Sequence, residues 1–275
     1  MLLIAFFAFF PIIWGLLLSF QPDHLAQRGR FIIKEVTLDN YIRAFGDPIL
    51  WKSIGVTLLY NVSSTFLVIF VSTLAAMALT NIGRAAASLQ SLLFVPICVA
   101  QPVVVIIFKA MLDPRSGIAN GILGVLGLPL QKFYEGQGQA IWVMVYMAVW
   151  TGTGFWTLVF SSALRNISNE IIEASIIDGA GPIRRFLTIV LPLMKRTLLL
   201  ACVVLSIGHF VVFVPAQLLT HGGPNDSTRF LMYEAAQRIM RFAHPGQANA
   251  VVMIILFMMF IVVGLQFGLL RSEDD

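Results

Sequence analysis

The residues that most often carry chemistry do not assemble into an enzyme motif in this chain. His24, His209, His221 and His244 are followed by Leu25, Phe210, Gly222 and Pro245, so none begins the H-E-x-x-H of a zinc protease helix. No lysine follows a glycine, which removes the Gly-Lys of a phosphate-binding P-loop, and no G-x-S-x-G elbow is present. Cys98 and Cys202 lie in apolar runs and read as small buried hydrophobes, not as a disulfide framework. What the sequence offers instead is a set of hydrogen-bonding side chains inside long apolar stretches. Gln101 sits beside Pro96 and Pro102, His209 lies in the run 197–219, and Thr151-Gly152-Thr153-Gly154 interrupts the run 140–164. Asn61, Ser63, Ser64 and Thr65 occupy the run 53–79. On a 100° wheel Trp142, Tyr146, Thr153 and Trp156 share one stripe. Aromatic faces beside amide and hydroxyl groups suit a sugar, whose C–H face stacks while its hydroxyls bond. The structural alternatives are that Ser and Thr bond back to their own helix, that Trp142 belongs to an interfacial belt, and that Gly152 and Gly154 serve helix packing.

The elements that must position these groups follow from composition. Of 275 residues 58% are apolar and only 12% charged, and the mean hydropathy is +0.87. A water-soluble domain carries about 25% charged residues, so too little charge is present to cover a soluble surface. Disorder is excluded on the same ground. Nucleic-acid binding is excluded because the net charge is only +4 and basic residues never cluster beyond adjacent pairs. An integral membrane protein remains. A spanning helix needs about 20 apolar residues, and six segments supply them: 1–20, 53–79, 89–112, 140–164, 197–219 and 248–270. Barrel-type alternation is absent, so the fold expected is all-α, a polytopic bundle of six transmembrane helices forming one domain over residues 1–275. Segment 1–20 lacks the basic flank and cleavage site of a signal peptide and reads as a retained helix, and the missing flank points to a natural start upstream. Lys109 is expected to snorkel outward.

Six spans put both termini on one side. Arg84, Arg165, Arg184, Arg185, Lys195, Arg196 and Arg271 fall on that side, and a larger basic set is spread over the long loops opposite, so positive charge leaves the orientation open. The loops 21–52, 113–139 and 220–247 are long and rich in turn formers, with a short interfacial helix expected within 36–52. The loop 165–196 differs in kind. Ser168 or Asn169 can cap a helix, and Glu170 and Glu173 favour its positive N-terminus. Gly179-Ala180-Gly181 breaks that helix, Pro182 starts another, and Leu191-Pro192 ends the unit. This helix–Gly–helix elbow is too apolar to stand alone in water. It needs either a separate protein or its own bundle to cover it.

The elbow also carries a specific pattern. Glu173-Ala174-Ser175-Ile176-Ile177-Asp178-Gly179-Ala180, then Phe186 and Ile189-Val190-Leu191-Pro192, resembles the EAA loop of binding-protein-dependent ABC importer permeases, in its carbohydrate branch. Leu219-Thr220-His221-Gly222-Gly223-Pro224 with Ser227-Thr228 resembles the turn before the last helix in the type of the larger maltose-permease subunit and the glycerol-3-phosphate permease A subunit. Ser175 stands where a second alanine is usual and His221 where a glycine is usual. The resemblance implies a bacterial inner-membrane permease with the elbow and both termini cytoplasmic. It implies contacts of Glu173 with an ATPase subunit, close approach at Ala174 and Ser175, a bend at Gly179, and Phe186 and Ile189 holding the elbow to the bundle. Asp178, Ala180 and Pro192 belong to the same motif. The implied partners are a second six-helix permease, an ATPase pair that holds ATP and Mg, and an extracytoplasmic solute-binding protein, with no cofactor on this chain. The substrate-pathway candidates are Asn61, Gln101, Tyr146, Thr153, Trp156 and His209. A neutral sugar or polyol is expected, because a phosphate ester calls for cations and the spans hold only Lys109. An ion-coupled carrier would need an acidic residue within the spans, and none is present. An intramembrane enzyme acting through His209 would need a second catalytic group.

Overall fold

The computed structural model describes residues 2–80, 82–83 and 85–271. Arg84, one of the orientation residues, lies outside them, as do the side chain of Arg271 and residue 1 of the first expected span. Among the described residues the chain is helical with no strand. Three helices are long and apolar enough to cross a membrane unbroken: α4 (Pro48–Thr80), α8 (Ala140–Arg165) and α14 (Pro245–Arg271). Before them come α1 (Leu2–Ser19), α2 (Asp23–Ala26) and α3 (Asp39–Gly46). Between α4 and α8 lie α5 (Ala85–Phe94), α6 (Gln101–Met111) and α7 (Ile118–Val125). Between α8 and α14 lie α9 (Asn169–Ile177), α10 (Pro182–Arg185), α11 (Leu191–Leu193), α12 (Lys195–Phe210) and α13 (Leu231–Met240).

Two of the expected spans are not single helices. The stretch 89–112 is cut at a 3₁₀ turn, Val95–Cys98, and resumes at α6 after a 99° bend. Pro96 has no amide to continue the ladder, and Pro102 is tolerated only because it sits in the first turn of α6. The stretch 197–219 stops being helical after Phe210 and resumes as a π turn, Ala216–Thr220. The ring of Pro215 would meet the carbonyl of Val211 in a continuous helix, so the chain unwinds between them. At its other end α12 meets the segment Pro182–Leu193 at a 72° bend. Cys98, expected to be buried, is exposed, Cys202 is half-buried, and both thiols are free.

Helix α4 organises the bundle. Its inward face is small and polar: Ser53, Thr57, Asn61, Ser64, Ser72 and Ala76 are all buried. Its outward face is large and apolar, with Leu59, Val62, Phe66, Phe70 and Leu74 exposed. That inversion is what lipid solvation favours, because association between helices in hydrocarbon rests on close packing and interhelical hydrogen bonds. Small inward residues let α8 lie along α4 and α12 cross it. Where α8 passes α5, a Cβ on Gly154 would lie 1.9 Å from the carbonyl oxygen of Leu93, so only glycine fits. The Gln90 amide donates to the Gly154 carbonyl at 3.0 Å and pins the crossing.

The long loops converge at one end of the bundle and are more ordered than turn formers suggest. The interfacial helix expected within 36–52 is α3, and the remainder of that stretch belongs to α4. Asn40 donates to the carbonyls of Ser19 and Gln21, closing the end of α1, and Asp23 accepts the Gly246 and Gln247 amides at the start of α14. A chain of ion pairs runs from Asp47 through Arg238, Glu234 and Arg229 to Asp226 and Lys52. Its centre, Glu234 with Arg238, is buried.

Candidate functional site

Both helix breaks face one cavity of about 380 Å³. Tyr60 of α4, Gln101 of α6, Thr151 and Gly152 of α8, and Gly208 and His209 of α12 line it, with the unwound segment Val211–Pro215 closing one side. The sequence dictates each position. Gln101 is the first residue of α6, because the proline pair ends the preceding helix there. His209 stands on the last turn of α12, and its Nδ1 lies 3.0 Å from the Thr65 hydroxyl on α4. The Tyr60 ring meets the His209 ring edge-on at 5.4 Å. A Cβ on Gly152 would lie 3.2 Å from Val68, so this glycine brings α8 against α4 beside the cavity. Thr151 donates to its own helix at the Met147 carbonyl, 2.9 Å away.

The cavity is largely apolar, with a few hydrogen-bonding groups and no charge. No Lys, Arg, Asp or Glu is among its described lining residues. The Gln101 amide is exposed and makes no hydrogen bond among the described residues, leaving both its donors and its acceptor available. Lys109 is turned away and lies 3.5 Å from the Leu218 carbonyl. The arrangement can receive a neutral, hydroxylated molecule through the Gln101 amide and the Nε2 of His209, against Met144, Met147 and Val104.

Of the six pathway candidates, the cavity brings together Gln101 and His209. Asn61 is buried and donates to the Ser206 carbonyl at 2.8 Å, joining α4 to α12. Thr153 is buried and donates to Val149, while its carbonyl accepts from Ser72. Trp156 is buried against Phe155 and Phe160. Tyr146 is exposed and packs on Phe108. The wheel stripe of α8 therefore runs from exposed Trp142 and Tyr146 to buried Thr153 and Trp156. Sequence reasoning passed over Tyr60, Gly208 and the Val211–Pro215 break, although Gly208 and Pro215 flank His209 and mark a weak point in that helix.

The elbow lies at the opposite end of the bundle from the long loops. Ser168 adopts extended geometry before α9 but makes no side-chain cap bond. Helix α9 ends in a Schellman motif: the Ala180 amide donates to the Ser175 carbonyl and the Gly179 amide to the Ile176 carbonyl, with Gly179 at φ +76°. Nothing stands within 4 Å of a Cβ at Gly179, so its requirement is backbone conformation, not space. Asp178 is the C-terminal cap, and Pro182 opens α10, as expected. A π turn, Phe186–Val190, carries the chain to Pro192. Phe186 packs with Ile172 against the cluster of Val190, Met194 and Phe160, while Ile189 is half-buried. Ser175 is buried and bonds the Ile172 carbonyl, and Glu173, Ala174 and Asp178 are exposed. Ile176, Ile177, Ile183 and Leu187 form an exposed apolar surface, with Ile177 86% exposed.

With this geometry in hand, the chain can be set beside known proteins. It is 29% identical over 264 residues to the probable ABC transporter permease protein YesP of Bacillus subtilis, covering 94% of this chain and 82% of the relative. It is 28% identical over 262 residues to the sn-glycerol-3-phosphate transport system permease protein UgpA of Escherichia coli O157:H7, covering 95% and 86%. The fold is shared with a bacterial ABC transporter involved in the import of the acidic polysaccharide alginate, at a TM-score of 0.81 and 18% identity over 99% of this chain and 93% of that one. Residues 69–271, which hold the elbow and every described lining residue of the cavity except Tyr60, match the family described as binding-protein-dependent transport system inner membrane component, and the chain belongs to that family.

Proposed function

We propose that this chain is one of two permease subunits of an ATP-driven, solute-binding-protein-dependent importer for a neutral sugar or polyol. The observation that carries the reading is the meeting of two interrupted helices at one uncharged cavity in which Gln101 and His209 stand among apolar walls. Broken helices that line a midplane site are the arrangement by which carriers present and release a solute. Six crossings complete the pathway: α1, α4, the bent pair α5–α6, α8, the bent segment that ends in α12, and α14. In this reading the elbow is cytoplasmic, both termini are on that side, and the long loops meet the binding protein outside. The exposed face of Ile176, Ile177, Ile183 and Leu187 docks on an ATPase subunit, with Glu173 making polar contacts at its edge. ATP and Mg²⁺ belong to that subunit pair, and this chain supplies the lever and half of the cavity.

Alternating access then follows mechanically. ATP-driven closure of the ATPase pair moves α9, and the Schellman bend with Phe186 transmits the displacement to the cluster around Val190 and Met194. The bundle rocks about α4, and the cavity opens outward to take solute from the binding protein.

The UgpA relatives favour a second reading, in which the solute is glycerol 3-phosphate or a related phosphodiester. A phosphoryl group is held by cationic donors, and this cavity has none among its described lining residues. The test is uptake by the assembled transporter of labelled neutral sugars and polyols against glycerol 3-phosphate. Saturable uptake of a neutral solute, lost in Gln101→Ala and His209→Ala, supports the proposal. Preferential uptake of glycerol 3-phosphate overturns it in favour of the second reading.

A further inference from the structure

A second cavity, of about 610 Å³, lies between the end of α4, the start of α5 and the last turns of α8, at the end of the bundle that carries the elbow. Three features of its wall are donors or positive, and they come from different elements. Arg165, the last residue of α8, is exposed and makes no hydrogen bond or ion pair among the described residues. The Ser161 hydroxyl lies one turn earlier, is 94% buried, and has no hydrogen-bond partner among the described residues. Ala86 and Ala87 belong to the first turn of α5, which has no acidic residue, so that turn presents the positive end of a ten-residue helix.

The Ala86 amide already donates to the Gly83 carbonyl, but other offsets are missing. No Asp or Glu is among the described lining residues. The carbonyls of Ala163 and Leu164, the negative end of α8, are already taken by the Asn166 and Ile167 amides. Ser162 adds a further hydroxyl, and Leu79 and Leu158 make the flank apolar. A buried hydroxyl without a partner is costly, and an unpaired guanidinium beside a helix N-terminus favours an anion with several acceptor oxygens.

We propose that this cavity is a binding site for a phosphate group, with Arg165 as its cationic clamp and Ser161 as a buried donor. The phosphate can come from the headgroup of a membrane lipid, whose chain would follow Leu79 and Leu158, or from the free ion. The site is remote from the translocation cavity, so the proposal stands or falls independently of the transported solute.

The test uses the assembled transporter in nanodiscs of phosphatidylcholine, with phosphatidylglycerol titrated in as one arm and inorganic phosphate as the other. Bound lipid is read by native mass spectrometry and bound phosphate by equilibrium dialysis of the radiolabelled ion. Saturable binding in either arm is expected, and the arm that saturates names the source. Arg165→Gln should weaken that binding about tenfold or more, the usual consequence of losing a charged hydrogen bond. Ala87→Glu should abolish it while preserving the fold, because a carboxylate in the first turn of a helix is favourable to the helix itself. Arg196→Gln, which removes an exposed charge following the elbow without touching the cavity, should leave binding unchanged. The proposal is overturned by the absence of saturable binding in both arms, by wild-type binding in Arg165→Gln or Ala87→Glu, or by an equal loss in Arg196→Gln.

Discussion

At the scale of single residues, the same residue type does different work according to what surrounds it, and substitutions should separate these uses. Gly154 lies where the Leu93 carbonyl would meet any Cβ, whereas Gly208 has open space at that point. Gly154→Ala should therefore cost more than the 1–3 kcal/mol typical of overpacking, seen as loss of folded protein on fluorescence-detected gel filtration, and Gly208→Ala should leave the thermal midpoint nearly unchanged. Asn61→Ala removes a buried interhelical bond and should cost about 1 kcal/mol in thermal stability, while Gln101→Ala should reduce uptake without that loss. Asp113 gives a pH prediction. Amides of Ser116 and Arg115 donate to its carboxylate, joined by the hydroxyls of Ser116 and Tyr134, and these donors hold its pKa down to about 2. A carboxylate held below its ordinary value of about 3.9 stabilises the turn fully above that value, and the contribution is lost as pH falls through about 2. Hydrogen exchange at the Arg115 and Ser116 amides, corrected for the intrinsic rate, should show equal protection at pH 6 and pH 4. Loss of protection already at pH 4 would count against that account of the turn.

At the scale of elements, helices legible from composition alone are the ones whose apolar run is unbroken. The segments 53–79, 140–164 and 248–270 lie within α4, α8 and α14, because an unbroken apolar run leaves the backbone no better way to satisfy its hydrogen bonds. Pro96 and Pro102 marked a loosened point in 89–112 but not its 99° bend, and the break at Val211–Pro215 was not legible. Hydropathy counts apolar residues and is blind to where a proline forces the chain to unwind. Helix α13 was hidden in an apparent loop because Glu234 and Arg238 make it polar, and only the structure shows them paired and buried. The bend of the elbow was legible, since Gly179 and Pro182 fix it locally, but the side-chain cap at Ser168 and a regular second helix through Val190 were not found. The positions of Asn61, Thr153 and Trp156 depended on which face of a helix meets which neighbour, and a wheel does not contain that information. The elbow makes a prediction at this scale. Gly179→Ala strains a left-handed residue by about 1–2 kcal/mol and should tilt α9 relative to α10, lowering ATPase association in pull-downs. Phe186→Ala should loosen the same elbow by removing its anchor to the bundle.

At the scale of the whole molecule, the two ends of the bundle are built differently. One end is stiffened by the chain of ion pairs from Asp47 to Lys52 and by caps that cross between distant segments. The other carries an elbow whose Ile176, Ile177, Ile183 and Leu187 stay exposed among the described residues. Between them lies the cavity formed by both helix breaks. In the proposed function, the stiff loop-bearing end, the exposed elbow and the site at the joints serve as a device that an external motor rocks. Arg238→Ala should leave Glu234 with Arg229 alone and remove the guanidinium that Asp47 faces, destabilising the loop-bearing end by about 1.5–3 kcal/mol, the range for a charged hydrogen bond, read as a lower thermal midpoint of the assembled transporter. The central claim is that the elbow is held by a nucleotide-hydrolysing subunit, and cross-linking tests it most directly. With Cys98 and Cys202 replaced by serine, Ile177→Cys is introduced into the assembled transporter in native membranes and probed with a short bifunctional thiol reagent. The account predicts a cross-link to the ATPase subunit whose yield changes when nucleotide is added. A thiol at position 177 that reacts only with lipid-phase reagents, and joins no ATPase subunit in any nucleotide state, contradicts it.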